Sequence, residues 1–470
     1  QLTTPGTGET YDISALSALD SSILSYDGTK YIFSEDLTIS ANDILEITTP
    51  DTLFVDAGKR ITVEGDFLAD AGANDKFVIR ATDTLNPFDG IRFEEFSVGS
   101  ISNTEITYSG GLKVMTESFA IKDSYLAHNV SGVATGATIS LSRGAPTIEN
   151  NTFYKNDLPA VGSGANQSVA AQISDNWIEK NGQSNENRPQ LNMGPTGQDT
   201  LKITNNTIIG DRDMTKVGGV GISNFLGADV ISVIEGNTIQ NNRYGVTVAG
   251  PTLYTSIKAN IIENNDSQNN PAVGGSGISV NSGSDSQTII VRENEIRGHL
   301  WGITIIDEGS VNLGTVDSYG HNVFSENGNN GVTYALYNNT SNDIDALGNC
   351  WIEADETAGA GEIEEVIFHQ IDDSTLGLVD YSNWTCGTLG TEIPDVANFN
   401  LYPNPAQNSI NFTNEADFDV VEFFSIKGQL LKTAKLQEGQ NQIHLALPQG
   451  LYMLRFSNDK QSLTEKLVIE

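Results

Sequence analysis

The sequence predicts an all-β protein in two parts, a solenoid of short stacked strands followed by a small Ig-like antiparallel β-sandwich. Three observations carry that prediction. A pattern of apolar residue, two residues, Asn, one residue, apolar residue recurs between residues 148 and 296. Only 18% of residues are charged, and Gly, Asn, Ser and Thr separate short runs of Ile and Val, as suits strands joined by many turns. After Cys386 the charge balance changes: residues 397–470 hold 6 Lys plus Arg against 8 Asp plus Glu, whereas the whole chain carries −36.

The repeat is read from Ile148/Asn151/Phe153, Ile173/Asn176/Ile178, Ile203/Asn206/Ile208, Ile234/Asn237/Ile239, Ile257/Asn260/Ile262 and Val291/Asn294/Ile296. Its asparagines are 25, 30, 31, 23 and 34 residues apart, a period that indicates a solenoid. A second half of each coil follows at Gly132-Val133, Gly221-Ile222, Gly245-Val246, Gly277-Ile278, Gly302-Ile303 and Gly331-Val332. Each coil therefore contains several strands of a few residues with bends at Asn and Gly. Asn tolerates the left-handed backbone region, and in coils about 4.8 Å apart its amide can bond the equivalent amide above and below. Asn151, Asn176, Asn206, Asn237, Asn260 and Asn294 are thus expected to form a structural ladder.

These residues resemble the repeats of the right-handed parallel β-helix family, which includes pectate lyases and many bacterial surface proteins. The resemblance covers roughly residues 37–385. Residues 51–81 (DTLFVDAGKRITVEGDFLADAGANDKFVIRA) and 88–96 (FDGIRFEEF) look like first coils, and residues 348–384 like closing coils, with Trp351 and Trp384 expected to cover the end of the stack. The resulting domain plan is an N-terminal segment and cap at 1–36, the β-helix at 37–386, a linker at 387–398 and a C-terminal domain at 399–470. Residues 181–200 and 263–276 are irregular and are expected to project as loops.

In the C-terminal part, DVVEFFSIKGQLL, NQIHLAL and GLYMLRFS alternate as antiparallel strands, with turns at Lys427-Gly428 and Gln449-Gly450. Tyr402-Pro403-Asn404-Pro405, Gly428, Gly450-Leu451-Tyr452 and Lys466-Leu467-Val468-Ile469 are similar, in order and spacing, to the C-terminal sorting domain of type IX secretion in Bacteroidota. An ordinary Ig-like module, with Pro403 and Pro405 keeping an edge unpaired, is the plainer alternative. The resemblance implies recognition by the type IX translocon and its shuttle protein, with the strand at Lys466–Ile469 captured by pairing. It also implies a chain that is secreted or displayed on the cell surface after crossing both membranes.

The acidic balance argues against nucleic acid or an anionic membrane as partner, since both require a cationic footprint. Neutral polymers and divalent cations such as Ca²⁺ fit better. Cys350 and Cys386 have no metal-ligand spacing; in an exported chain one disulfide is expected, worth about 3 to 4 kcal/mol, with two buried thiols as the alternative. No apolar run is long enough for a membrane helix, and the start at Gln1 reads as a chain whose leader has been removed or left out.

Catalysis is harder to place. A uronate lyase needs a cation or Ca²⁺ beside a base, and Asp211, Arg212, Asp213 and Lys216 in GDRDMTK are the weak candidates, a salt-bridged surface turn being the plainer reading. A glycosidase needs two carboxylates, one of which Asp307-Glu308 could supply. His128 and His321 read as corner residues, and His299 stands beside a repeat. The expected activity is a monomeric polysaccharide-binding or adhesive surface protein, with Trp177, Trp301 and Tyr244 as stacking residues, although Trp177 lies inside a repeat and core packing fits it equally. The alternative is a polysaccharide-degrading lyase or glycoside hydrolase.

Overall fold

The computed structural model describes residues 1–386 and 401–470, apart from 415–417, 426–428, 438, 459–461 and 470. The linker expected at 387–398 and the turn residue Gly428 lie outside the described residues. Two compact units divide at Cys386.

Short alternating segments such as Thr147–Glu149, Thr152–Tyr154 and Val161–Ser163 each bury a central or leading apolar residue and then turn. Repeated along the chain, they stack into three parallel sheets of 14, 13 and 11 strands, a parallel β-helix. The register keeps like residues in columns: Ile148 pairs with Ile173 and Ile173 with Ile203, all fully buried. Residues 1–36 contribute to the same stack, since Leu2–Thr3 pairs in parallel with Leu37–Thr38. The helix Ile13–Leu19, capped by Asp12 accepting from Ala15 N at 2.6 Å, places Ile13 and Leu16 in the core. The 13-stranded sheet opens on an antiparallel pair, Leu24–Tyr26 with Tyr31–Phe33, which covers an edge that would otherwise invite pairing with another chain. At the other end Trp351, 2% exposed, stacks on Phe324 at 5.0 Å, Trp384 packs on the same core, and Cys350 is disulfide-bonded to Cys386.

Asparagine amides fill the corner between the 11- and 13-stranded sheets. Asn151 donates through its backbone N–H and its Nδ2 to Asn176 Oδ1, at 2.9 and 3.1 Å, while Nδ2 also donates to Ile121 O on the preceding coil. The same exchange runs through Asn206, Asn237, Asn260 and Asn294, and continues to Asn322 and Asn349. The left-handed conformation belongs instead to the residue before each rung: Asn150, Asp175, Asn205, Ala259 and Glu293 have φ between 53° and 58°. Ladder position is therefore selected by the amide and not by backbone tolerance.

A second ladder runs five residues further on, at the corner with the 14-stranded sheet. Asn129, Asn156 and Asn181 are linked in the same way. On the next coil this spacing falls on Asp211, whose carboxylate has no N–H to pass the chain of bonds onward. Gln190 takes the slot instead, accepting from Asn181 and donating to Asn242 Oδ1 at 2.9 Å. The segment 181–200 is thus not simply a projecting loop, because it also supplies the strand Leu191–Met193. Asn242 then bonds Asn265, and Asn265 Nδ2 donates to His299 Nε2 at 3.2 Å while His299 Nδ1 faces Asn327 Oδ1 at 2.9 Å. With Nε2 accepting and Nδ1–H donating, His299 serves as a neutral rung.

The C-terminal unit has a four-stranded antiparallel sheet in the order Leu430–Lys435, Val420–Ser425, Gly450–Ser457, Ser462–Ile469, and a pair formed by Ser409–Asn414 and Gly439–His444. Its own core is built on Phe412, Phe418, Phe423, Leu454, Phe456 and Leu467.

Two outcomes follow from the ladders. Asn237→Ala leaves several buried partners unpaired and should cost about 3 to 5 kcal/mol, seen as a lowered melting temperature, whereas Asn205→Gly, at an exposed left-handed corner, should change it little. Burial holds the His299 pKa down to about 4. Because the folded value lies below the unfolded value near 6.5, the stability tied to neutral His299 is complete above pH 6.5 and is lost as pH falls toward 4, on the order of 3 kcal/mol. His299→Asn restores a non-titrating rung and should remove that part of the acid sensitivity in melts between pH 7 and 4.

Candidate functional site

The sorting-motif residues are brought together within the C-terminal unit. Tyr402–Pro405 runs alongside the last strand, 62 residues away in the chain. Asn404 Nδ2 donates to Lys466 O at 2.6 Å, Val468 N donates to Asn404 Oδ1 at 2.9 Å, and Ala406 N donates to Val468 O at 2.8 Å. One side-chain amide thus supplies the donor and acceptor that a neighbouring strand would supply. Leu467 and Ile469 point into the core, while Lys466 is exposed. Gly450, with φ of 159°, opens the strand that pairs Leu451 with Val468 and Tyr452 with Leu467, and Tyr452 Oη donates to Pro448 O at 2.6 Å. The edge expected to be free for capture at Lys466–Ile469 is occupied from within, because Lys466 O, Val468 N and Val468 O already have partners in Asn404 and Ala406.

On the β-helix, the GDRDMTK residues do not converge. Arg212 is paired with Asp266 at 2.8 Å, Asp211 accepts from Gln183 and from Asp213 N, and Lys216 is exposed. Asp307 and Glu308 are exposed at the end of the strand Trp301–Asp307. His128 and His321 are left-handed corners. Glu364, His369 and Asp372 place potential metal ligands within 4.8 Å of one another, but their groups are spent: His369 Nε2 meets Glu364 Oε1 at 2.8 Å, its Nδ1 accepts from Val379 N, and Asp372 accepts from His369 N. Tyr381 donates to the other Glu364 oxygen at 2.6 Å, and burial together with that carboxylate pushes its pKa up to about 12. This trio ties down the last coil.

The three expected stacking residues separate. Tyr244 is half-buried with its ring packed against Gly218, and burial pushes its pKa up to about 12. Trp177 is 45% exposed on the outside of the 13-stranded sheet, with Nε1 donating to Glu179. The residue between each rung Asn and the next core aliphatic points outward, which is why a tryptophan is accommodated there. Trp301 belongs to a half-buried outward group that the sequence reading missed. Its ring lies 4.6 Å from Tyr334 and 4.8 Å from Tyr337, and Tyr337 stacks on Phe368 at 4.7 Å and 15°. Parallel register produces this group by placing Thr304, Tyr337 and Phe368 in one column of the 14-stranded sheet. Trp301 Nε1 is held by Pro271 O at 3.0 Å.

Two surface cavities hold cations near carboxylates. One of about 930 Å³ is lined by Arg143, Glu117, Asp199 and Gln167, with Arg143 ion-paired to Glu95. Another of about 590 Å³ contains Lys76, Glu105, Asp123 and Tyr125, with Lys76 donating to Asp123 O. Asp157, its pKa raised by burial, lies near His128, whose pKa burial lowers.

A family model described as secretion system C-terminal sorting domain matches residues 400–470, and one described as a protein of unknown function, DUF1565, matches residues 187–357. No curated protein and no solved structure matches the chain. Among the described residues no helix is long and apolar enough to cross a membrane. The chain therefore joins a parallel β-helix to a secretion-system C-terminal sorting domain, and is a cargo of type IX secretion exported to the cell surface or the medium.

Proposed function

We propose that the β-helix is a carbohydrate-binding surface module delivered by its sorting domain. The observation that carries this reading is the outward aromatic group Trp301, Tyr334, Tyr337 and Phe368 near one end of the 14-stranded sheet. Trp301, Tyr334 and Tyr337 touch one another and Phe368 stacks on Tyr337, so that four half-buried rings form a semi-rigid apolar shelf, and the C–H faces of a pyranose ring pack on such a surface while its hydroxyls stay hydrated. The net charge of −36 favours a neutral glycan over a polyanionic one.

The enzymatic alternative finds its best support in the groove beside Arg143, Glu117 and Asp199. It is weaker because Arg143 is committed to Glu95 and would have to exchange partners to neutralise a uronate.

The two readings separate on a glycan array probed with the purified chain, with and without Ca²⁺, followed by a cleavage assay on every hit. Binding without cleavage is expected. Trp301→Ala and Tyr337→Ala should each weaken it by about tenfold, the order of one aromatic contact, with little change in melting temperature. Binding that survives both substitutions, or turnover of the bound glycan, would sink the proposal.

A further inference from the structure

The sheet of the sorting domain has an outer face that does not suit water. Alternation places Tyr452, Leu454 and Phe456 inward and Leu451, Met453 and Arg455 outward. Cross-strand pairing then assembles the outward residues across the sheet: Leu430 faces Phe424, Phe424 faces Met453, Met453 faces Lys466, and Leu451 faces Val468. Leu430, Leu451 and Met453 are 49%, 39% and 38% exposed. The strip has a polar border, where Arg455 bonds Glu422 at 2.6 Å and lies 5.2 Å over the Phe424 ring. One-sided antiparallel sheets normally present polar residues outward, so a contiguous apolar strip of this kind marks an interaction surface.

Its occupant is fixed by continuity with the sorting signal. Leu451, Lys466 and Val468 belong to the motifs that identify the domain, and the alternative docking element, the backbone edge at 466–468, is already satisfied by Asn404 and Ala406. We infer that the export machinery reads this domain through the outer-face strip Leu430, Phe424, Met453, Leu451 and Val468 beside Lys466, and not by adding a strand to the C-terminal edge. This deepens the export assignment. The complementary surface is apolar with a carboxylate opposite Lys466, and Asn404 is a positioning residue that holds the last strand in register beneath the strip.

The full-length chain, produced in a host competent for type IX secretion, tests this through the fraction that reaches the surface or medium. Leu451→Glu combined with Met453→Glu should lower export more than tenfold. Lys466→Glu, at an exposed position where folding is not at stake, should lower it severalfold. Export of the double variant at the parent level, together with a rise for Asn404→Ala, which opens the edge, would establish strand addition and overturn the inference. Removal of residues 401–470 reports separately: export that persists without them refutes the sorting assignment itself.

Discussion

Two of the corner columns of the solenoid depend on one property of the asparagine side chain, which carries a hydrogen-bond acceptor and two donors in a single planar group. Translated by one coil, an amide meets its own complement, so Oδ1 accepts from the coil before while Nδ2 donates to the coil after. The remaining amide hydrogen reaches back to a strand carbonyl, so each rung ties three coils together. At a buried corner, where backbone groups would otherwise lack partners, the arrangement satisfies each rung without water. It also fixes register, because a slip by one residue would turn the aliphatic column outward as well as break the ladder.

Departures from asparagine obey the same rule. Glutamine keeps the amide and can enter from a neighbouring loop, as Gln190 does where Asp211 occupies the sequence position. Histidine can enter only as the neutral tautomer that donates at one nitrogen and accepts at the other, as His299 does between Asn265 and Asn327. Hydroxyl residues precede the amides in both ladders: Ser109 donates through its N–H and Oγ to Asn129 Oδ1, while Ser124 N–H donates to Asn151 Oδ1 and Ser124 Oγ accepts from Thr104 N of the preceding coil. With the corners locked, outward positions are released from structural duty. That freedom lets Tyr337 and Phe368 align on one face without cost to the core.

The fold was legible because its period and its chemistry are written in the same residues. Six rungs followed from the apolar-Asn-apolar spacing; Asn349 fits it too with Ala346 in the lead, whereas before Asn322 the spacing falls on the exposed Tyr319 and the buried column is carried by Leu313. The second ladder was legible in principle as Asn156, Asn181, Asn242 and Asn265, each five residues after a rung. Gln190 was not, because its partner lies across an insertion and no spacing announces it. The backbone argument for asparagine pointed to the wrong position: left-handed corners accept Ala259 and Glu293 as readily as Asn150. Exposure of aromatics was the least legible feature. Tyr244 and Trp301 each precede a glycine at the start of a strand of the same sheet, and only the neighbouring coil decides what each half-buried ring meets: Gly218 for the first, Tyr334 and Tyr337 for the second.

The sorting domain uses the amide for the same purpose on a different scaffold. A terminal strand has one edge without a partner, and such an edge is a hazard for a chain that must remain unaggregated before and during export. A further strand would close it, but so does Asn404, whose amide reproduces the spacing of a backbone C=O and N–H and reaches Lys466 and Val468 together. The prolines on either side have no N–H to offer, so the segment itself presents little for another edge to pair with. In both units, then, the sequence spends asparagine where a β-structure would otherwise leave backbone groups open. In the solenoid this propagates order along an axis, and in the sorting domain it stops propagation at the last strand, leaving side chains on the sheet face as the surface available for recognition.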